Sequence, residues 1–127
     1  MNHIGHNYSA SVNIIREMSI VALGAILGAT LRMMLLQLPL LNYQSLLLIN
    51  LTGAFALGLL FTISPSRFTR LFWATGLLGG FTTTSALAMT ALQDFPSSPS
   101  IALLYLFVTF YGGLILFRIA GKLNHHA

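Results

Sequence analysis

Residues 76–90 read Gly-Leu-Leu-Gly-Gly-Phe-Thr-Thr-Thr-Ser-Ala-Leu-Ala-Met-Thr, and this segment decides how the rest of the chain is interpreted. Gly79 and Gly80 weaken a helix, and four consecutive hydroxyl side chains follow at residues 82–85. The surrounding run of about twenty positions carries no charge, which is typical of a segment buried in lipid. Broken backbone is tolerated at that depth only where protein or a water-filled cavity satisfies its polar groups. We therefore predict a helix that is broken near Gly79 to Thr83, at the candidate functional centre.

The composition is that of an integral membrane protein. Of 127 residues, 56% are hydrophobic and 6% are charged, and the mean hydropathy is +0.83. This number of charged side chains is too small to cover the surface of a soluble protein. We therefore predict an all-α membrane protein in a lipid bilayer. With no cysteine, the chain has no disulfide, thiolate metal site or cysteine nucleophile. The basic residues lie scattered at the ends of apolar segments, so no nucleic acid is expected as a partner.

The apolar runs predict four transmembrane helices within a domain of residues 18–121. A polar N-terminal tail, residues 1–17, begins without a helical pattern, and a polar C-terminal tail follows at residues 122–127. The four spans are expected at residues 18–38, 46–63, 71–92 and 101–119. In the first span Gly24 and Gly28 lie four residues apart, which predicts a face for close helix packing.

A few polar side chains interrupt these spans. Arg32 is either an interfacial arginine that reaches toward the lipid headgroups or a fixed charge near an ion entrance. Asn50 either hydrogen-bonds neighbouring helices or contacts an ion or substrate. Tyr105 and Thr109 are four residues apart and therefore share one helical face, although Tyr105 also suits the aromatic belt at the membrane surface.

The positive charges predict an orientation. Five Lys and Arg residues flank one side of the predicted bundle, namely Arg16, Arg67, Arg70, Arg118 and Lys122. Arg32 alone lies nearer the other side. The positive-inside rule therefore places both termini, and the loop between the second and third spans, in the cytoplasm.

The residue types in the spans exclude most chemistry and favour ion binding. The spans contain no Asp, Glu, His or Lys, so an enzyme or a proton-coupled transporter lacks its titrating group. Neutral donors remain, and these replace the hydration of a small anion without trapping it. They are Asn50, Thr82, Thr83, Thr84, Ser85, Tyr105 and Thr109. Carbonyls freed at the helix break suit a cation such as Na⁺, while the alternative is a glycine-lined crossing point between two copies of the helix.

Three motifs resemble one family. Residues 24–32 fit Gly-x-x-x-Gly-Ala-x-x-Arg, and residues 50–58 fit Asn-x-x-Gly-x-Phe-x-x-Gly. Residues 79–83 and Ser85 fit Gly-Gly-Phe-Thr-Thr-Phe-Ser-Thr-Phe. In this order they resemble the small fluoride channels called Fluc or CrcB, over most of the chain. The resemblance implies passive fluoride export across the inner (plasma) membrane of a bacterium, through an antiparallel, dual-topology dimer with two pores.

The resemblance also implies roles for particular residues. The backbone oxygens of Gly79 and Thr82 would hold a central structural Na⁺, and Asn50 would face a fluoride track. The other residues assigned to the track or its surroundings are Arg32, Thr83, Thr84, Ser85, Leu87, Tyr105 and Thr109.

Two departures from the family pattern concern the anion track. Thr84 and Leu87 stand where the family has phenylalanines, whose electropositive ring edges would face fluoride. The strong charge bias also disagrees with a homodimer of opposed copies, which needs a nearly neutral balance of Lys and Arg. We therefore expect a heterodimer with an oppositely inserted partner, with a non-conducting structural or regulatory subunit as the alternative.

Overall fold

The computed structural model describes residues 2–37, 42–63 and 66–123, with side chains from residue 12 onward except those of residues 42 and 94. Every regular element in these ranges is a helix. The elements are α1 (Asn2–Leu36), α2 (Asn42–Thr62), α3 (Arg67–Arg70), a π-helical segment (Leu71–Leu78), α4 (Gly79–Phe81), α5 (Thr84–Asp94) and α6 (Pro99–Leu123). The prediction of an all-α protein is confirmed. Because α3, the π-helical segment and α4 follow one another without a gap, residues 67–81 are referred to below as the rod.

Three helices are long and apolar enough to cross a membrane: Val12–Leu36, Tyr43–Thr62 and Pro99–Leu123. Large apolar side chains are exposed along them, as lipid contact requires. The chain is therefore a multi-pass membrane protein. The third predicted span falls on the rod and α5, which together cover residues 67–94 with an interruption between them.

The helix ends differ from the sequence prediction. Helix α1 begins at Asn2, so the segment expected to lack helical structure is helical instead. Residues 2–36 contain no proline, so nothing removes a helical hydrogen bond before the membrane span. Helix α2 begins at Asn42 rather than at residue 46, and α6 extends to Leu123. Residue 38 of the first predicted span and residues 124–127 of the C-terminal tail lie outside the described ranges.

Helix α1 packs along the rod, and the two run parallel. Glu17 pairs with Arg67 at one end, and Gly28 contacts Leu77 further along both helices. Glycine makes this approach possible. A Cβ added at Gly24 would lie 2.5 Å from the carbonyl oxygen of Phe72, and Gly28, Gly76 and Gly80 abut the backbone of the facing helix in the same way. The predicted close-packing face of α1 is thereby confirmed.

Helix α2 packs along α6, again in parallel. Tyr43 stacks on Tyr105 near the start of both helices, with ring centroids 4.2 Å apart, and Phe61 meets Phe117 edge-on at 6.0 Å near their ends. Gly58 lies against the backbone of Phe117. It therefore allows α2 to approach α6 and does not belong to the face of α2 that carries Asn50.

The two pairs meet through α2, which runs antiparallel to the broken helix. Asn50 contacts Thr83, and Tyr43, seven residues earlier, contacts Thr90. Consequently the Glu17 end of α1 and the Phe117 end of α6 lie at the same end of the bundle. This agrees with the predicted placement of both termini on one side.

Candidate functional site

The helix break lies at two threonines. The chain leaves the rod after Phe81, takes extended conformations at Thr82 (φ −76°, ψ 152°) and Thr83 (φ −149°, ψ 106°), and resumes a helix at Thr84. Gly79 is helical (φ −64°, ψ −38°), so the break falls at the C-terminal end of the predicted interval. The physical reason is that β-branched residues suit extended backbone.

Asn50 holds the break closed. Its Oδ1 accepts a hydrogen bond of 2.8 Å from the Thr83 amide, and its Nδ2 donates one of 3.1 Å to the Thr83 carbonyl. Both residues are buried. The side chain of Asn50 therefore satisfies both backbone groups of Thr83, as a neighbouring strand would. The hydrogen-bonding role considered for Asn50 is realised within one chain, and ion contact stays a prediction.

Thr83 also starts α5. Its Oγ1 accepts a hydrogen bond of 3.2 Å from the Ala86 amide, which is the usual arrangement of an N-cap residue. The same Oγ1 lies 3.4 Å from the hydroxyl of Ser85. Thr84 and Ser85 are exposed. One hydroxyl at the start of α5 therefore fixes the helix, and the other two belong to exposed residues.

A groove of about 240 Å³ lies between α2 and the rod, beside the break. It is lined by Asn50, Gly53, Ala54, Leu57, Ala74, Leu78, Gly79 and Thr82. The methyl group of Thr82 lies against Gly53, where any side chain would displace it. A Cβ at Gly79 would meet only the Ala74 oxygen, at 3.7 Å. Gly79 therefore faces open space in this chain, unlike Gly80, which packs on Ala25.

Arg32 reaches the break from α1. It is half-buried, and its Nη1 lies 3.5 Å from the carbonyl oxygen of Thr82, at the long limit of a hydrogen bond. This is the C-terminal end of the rod, where unpaired carbonyls carry partial negative charge. Arg32 therefore lies beside the break, and its role as a fixed charge near an ion entrance stays a prediction.

Three further predicted track residues lie outside the lining of this groove. Thr109 is buried, and its Oγ1 has no hydrogen-bond partner within the described ranges. Tyr105 is half-buried against Tyr43, in a pocket apart from the groove. Leu87 is fully buried. The structure therefore brings Asn50, Thr82, Thr83, Ser85 and Gly79 together and leaves Tyr105 at a distinct position.

Two features of the site were missed from the sequence. Tyr43, which falls between the first two predicted spans, lies in α2. It stacks on Tyr105 and donates a 3.2 Å hydrogen bond to the Thr90 carbonyl. The π-helical segment, Leu71–Leu78, has more residues per turn than an α-helix. Its apolar sequence gives no signal of this winding.

The two carbonyls expected to hold Na⁺ fit a hard cation in part. In an α-helix the Thr83 amide would bond the Gly79 oxygen, but here that amide bonds Asn50 instead. Gly79 and Thr82 line the same groove, and carbonyl oxygen is the donor that such ions prefer. Two oxygens do not complete a coordination shell. An ion bound here would need further ligands.

The fold and the site together define a multi-pass helical membrane protein whose polar centre is a helix break stabilised by an asparagine. Comparison with known proteins agrees with this class. A family model described as CrcB-like protein, Camphor Resistance (CrcB), matches residues 19–121. The chain belongs to the CrcB family.

Its relatives include proteins named as ion channels. Fluoride-specific ion channel FluC 1 of Rhodococcus jostii is 37% identical over 117 residues, which cover 91% of this chain and 90% of that protein. FluC 2 of Lactobacillus johnsonii is 42% identical over 79 residues, or 61% of this chain and 66% of that protein. FluC of Thermus thermophilus is 39% identical over 88 residues, or 62% of this chain and 69% of that protein. The family is therefore one of ion channels and not of enzymes.

Proposed function

We propose that this chain is a pore-forming subunit of a fluoride channel that exports fluoride passively from the cytoplasm. The observation that carries the proposal is the break at Thr82 and Thr83, which is held by Asn50 in the middle of an uncharged segment. The exposed residues Thr84 and Ser85 follow the break directly, and neutral hydroxyl donors of this kind can replace the hydration of a small anion. The relatives that are named fluoride-specific channels supply the identity of the ion.

The fluoride track is proposed to run past the start of α5. Thr84 and Ser85 present exposed hydroxyls there, and Asn50 holds their helix in place through Thr83. Thr109 adds a buried hydroxyl without a partner among the described residues, which is a costly arrangement unless a ligand uses it. Tyr105 and Leu87 then belong to the wall of the track, and Arg32 supplies a positive charge beside it.

A structural Na⁺ is proposed at the open side of the break. Gly79 and Thr82 would offer it their carbonyl oxygens, and a second subunit would supply the rest of its shell. When bound, the ion would neutralise the carbonyl end of the rod and fix two subunits together. The guanidinium of Arg32, 3.5 Å from the Thr82 oxygen, stabilises the same carbonyl end from within the chain.

The assembly is proposed to be an antiparallel dimer in the inner membrane. The rod and α5 together form a fourth crossing, and both termini lie in the cytoplasm. A partner inserted the other way up is favoured over a second copy, because five of the six Lys and Arg residues lie on one side. Such a partner would supply the aromatic residues that Thr84 and Leu87 replace.

Fluoride efflux from loaded liposomes, followed with a fluoride electrode, tests this function. We expect little efflux from the chain alone and rapid efflux when it is reconstituted with a family member of opposite charge bias. Thr109→Val should lower that efflux at least tenfold while leaving stability unchanged, because no hydrogen bond is lost. The matched control is Thr30→Val, whose hydroxyl bonds only its own helix.

The alternative is a non-conducting structural or regulatory subunit. One observation favours it: Leu87 fills the core of its own chain instead of facing a track. In that case Thr109→Val in this chain would leave the efflux of the pair unchanged. Rapid efflux from the chain alone would refute both the heterodimer and the structural subunit.

A further inference from the structure

The end of the bundle opposite to Arg32 carries a cluster of charges that the break does not use. Arg67 Nη2 donates a 2.9 Å hydrogen bond to Glu17 Oε2 and forms an ion pair with Oε1, also at 2.9 Å. The guanidinium of Arg16 lies 4.4 Å from the ring centroid of Phe68. These contacts fix the start of the rod against α1. Glu17 is the one carboxylate that the structure describes at this end, and it pairs with Arg67 alone.

Beside this cluster is a pocket of about 190 Å³, lined by Arg67, Arg70, Leu71 and Thr75. Arg70 is exposed, and its guanidinium makes no hydrogen bond or ion pair within the described ranges, although its backbone amide bonds the Ser66 oxygen. The pocket therefore combines an uncommitted guanidinium, the remaining donors of Arg67, a hydroxyl and one apolar wall. Guanidinium groups bind phosphate through paired hydrogen bonds, so this donor set suits a phosphate group.

The position of the pocket indicates where that phosphate comes from. Arg70 is the last charged residue before the apolar run that begins at Leu71. The exposed side chains next along the two helices are apolar, with Trp73 46% and Met18 67% exposed. Tryptophan and charged residues meet in this way at the level of the lipid headgroups. A phosphate at this depth is attached to acyl chains, which would lie along Leu71.

We propose that the Arg67–Arg70 pocket binds the phosphate of an anionic phospholipid. Arg70 is the main ligand, because Arg67 is shared with Glu17. Thr75 donates a further hydrogen bond, and Leu71 contacts the start of an acyl chain. This attraction adds to the general preference of basic residues for an anionic leaflet, but it differs in being confined to one pocket.

Native mass spectrometry of the purified protein, in the assembly in which it is isolated, tests the proposal. The protein is titrated with phosphatidylglycerol, phosphatidylcholine and inorganic phosphate at equal concentrations. We expect at least fivefold more bound phosphatidylglycerol than phosphatidylcholine, and little bound phosphate. Arg70→Gln should reduce this excess to about the level of phosphatidylcholine, and Thr75→Val should reduce it in part.

The matched control is Arg118→Gln. It removes one positive charge from an exposed side chain on α6, at the same end of the bundle and outside the pocket. It should leave the excess unchanged. Equal loss in Arg118→Gln and Arg70→Gln would reduce the effect to net charge and overturn the proposal. Inorganic phosphate that binds as well as the lipid and displaces it would make the site one for soluble phosphate, and would equally overturn it.

Discussion

The two halves of the broken helix are held in different ways. The rod touches α1 backbone to backbone through Gly24, Gly28, Gly76 and Gly80, so almost no side chain lies between them. Helix α5 is instead held by side chains: Leu87 is fully buried, and the Tyr43 hydroxyl donates to the Thr90 carbonyl. A contact through backbone admits no larger residue, whereas a contact through side chains can be repacked.

This difference matches where the chain keeps its family pattern and where it departs from it. The rod and the break contain the Gly-Gly-Phe-Thr-Thr stretch that fits the CrcB motif. The departures at Thr84 and Leu87 both lie in α5. The rod cannot change without displacing α1, and it fits the family motif. Helix α5 meets its neighbours through side chains, and it departs from the motif.

The largest expected effect is on the contact between α1 and the rod. Gly28→Leu would place a side chain on the backbone of Leu77, which is fixed by its own helix. We expect loss of the folded protein, because overpacking of this kind exceeds the usual cost of about 1–3 kcal/mol. Gly121→Leu is the control, since a Cβ there meets nothing within 4 Å. SDS unfolding followed by circular dichroism gives the comparison, and equal stability of the two variants would contradict a backbone contact.

The second largest effect is expected at the break, where Asn50 bonds Thr83 between the two halves. Asn50→Ala leaves the amide and carbonyl of Thr83 without partners in a buried place. We expect a loss of about 2–4 kcal/mol for the two groups and faster hydrogen exchange at Thr83. The exposed Thr52 bonds only carbonyls of its own helix, so Thr52→Val should change neither quantity. Unchanged exchange in Asn50→Ala would mean that the break does not depend on this side chain.

Helix α5 should tolerate change better than the rod. Leu87→Ala leaves a cavity in the core, and we expect a loss of about 2 kcal/mol, near the low end for buried leucines. The loss is small because lipid outside the protein is as apolar as the core. Leu92→Ala on the same helix, at a side chain 68% exposed, should be neutral. A loss for Leu87→Ala as large as that for Gly28→Leu would remove the contrast between the halves.

The smallest expected effect concerns Tyr43. Tyr43→Phe keeps the stack on Tyr105 and removes the hydrogen bond to the Thr90 carbonyl. The expected loss is about 1 kcal/mol, measured by the same unfolding assay. Tyr105→Phe serves as the matched change in the stacked partner ring. If Tyr43→Phe is no more destabilising than Tyr105→Phe, the hydroxyl of Tyr43 does not secure α5.

The sequence predicted the class of fold from its composition, and it predicted the existence of the break from polar residues inside an apolar run. It placed the break near Gly79, because glycine is the general signal of a weakened helix. The structure shows that Gly80 is required by the nearness of Ala25, and that Thr82 and Thr83 leave the helix. A glycine that serves packing and a glycine that serves a break are indistinguishable in one chain's sequence.

What the sequence by itself determined is the set of available groups: apolar spans, glycine faces, neutral hydroxyls, one asparagine and a biased distribution of charge. Those follow from composition and spacing, which act locally. Only the tertiary structure decided that Asn50 meets Thr83, that Tyr43 meets Tyr105, and that the rod packs on α1 whereas α5 bonds to α2. These pairings join residues that are far apart in the chain, so they depend on how whole helices pack and not on the pattern within any one of them.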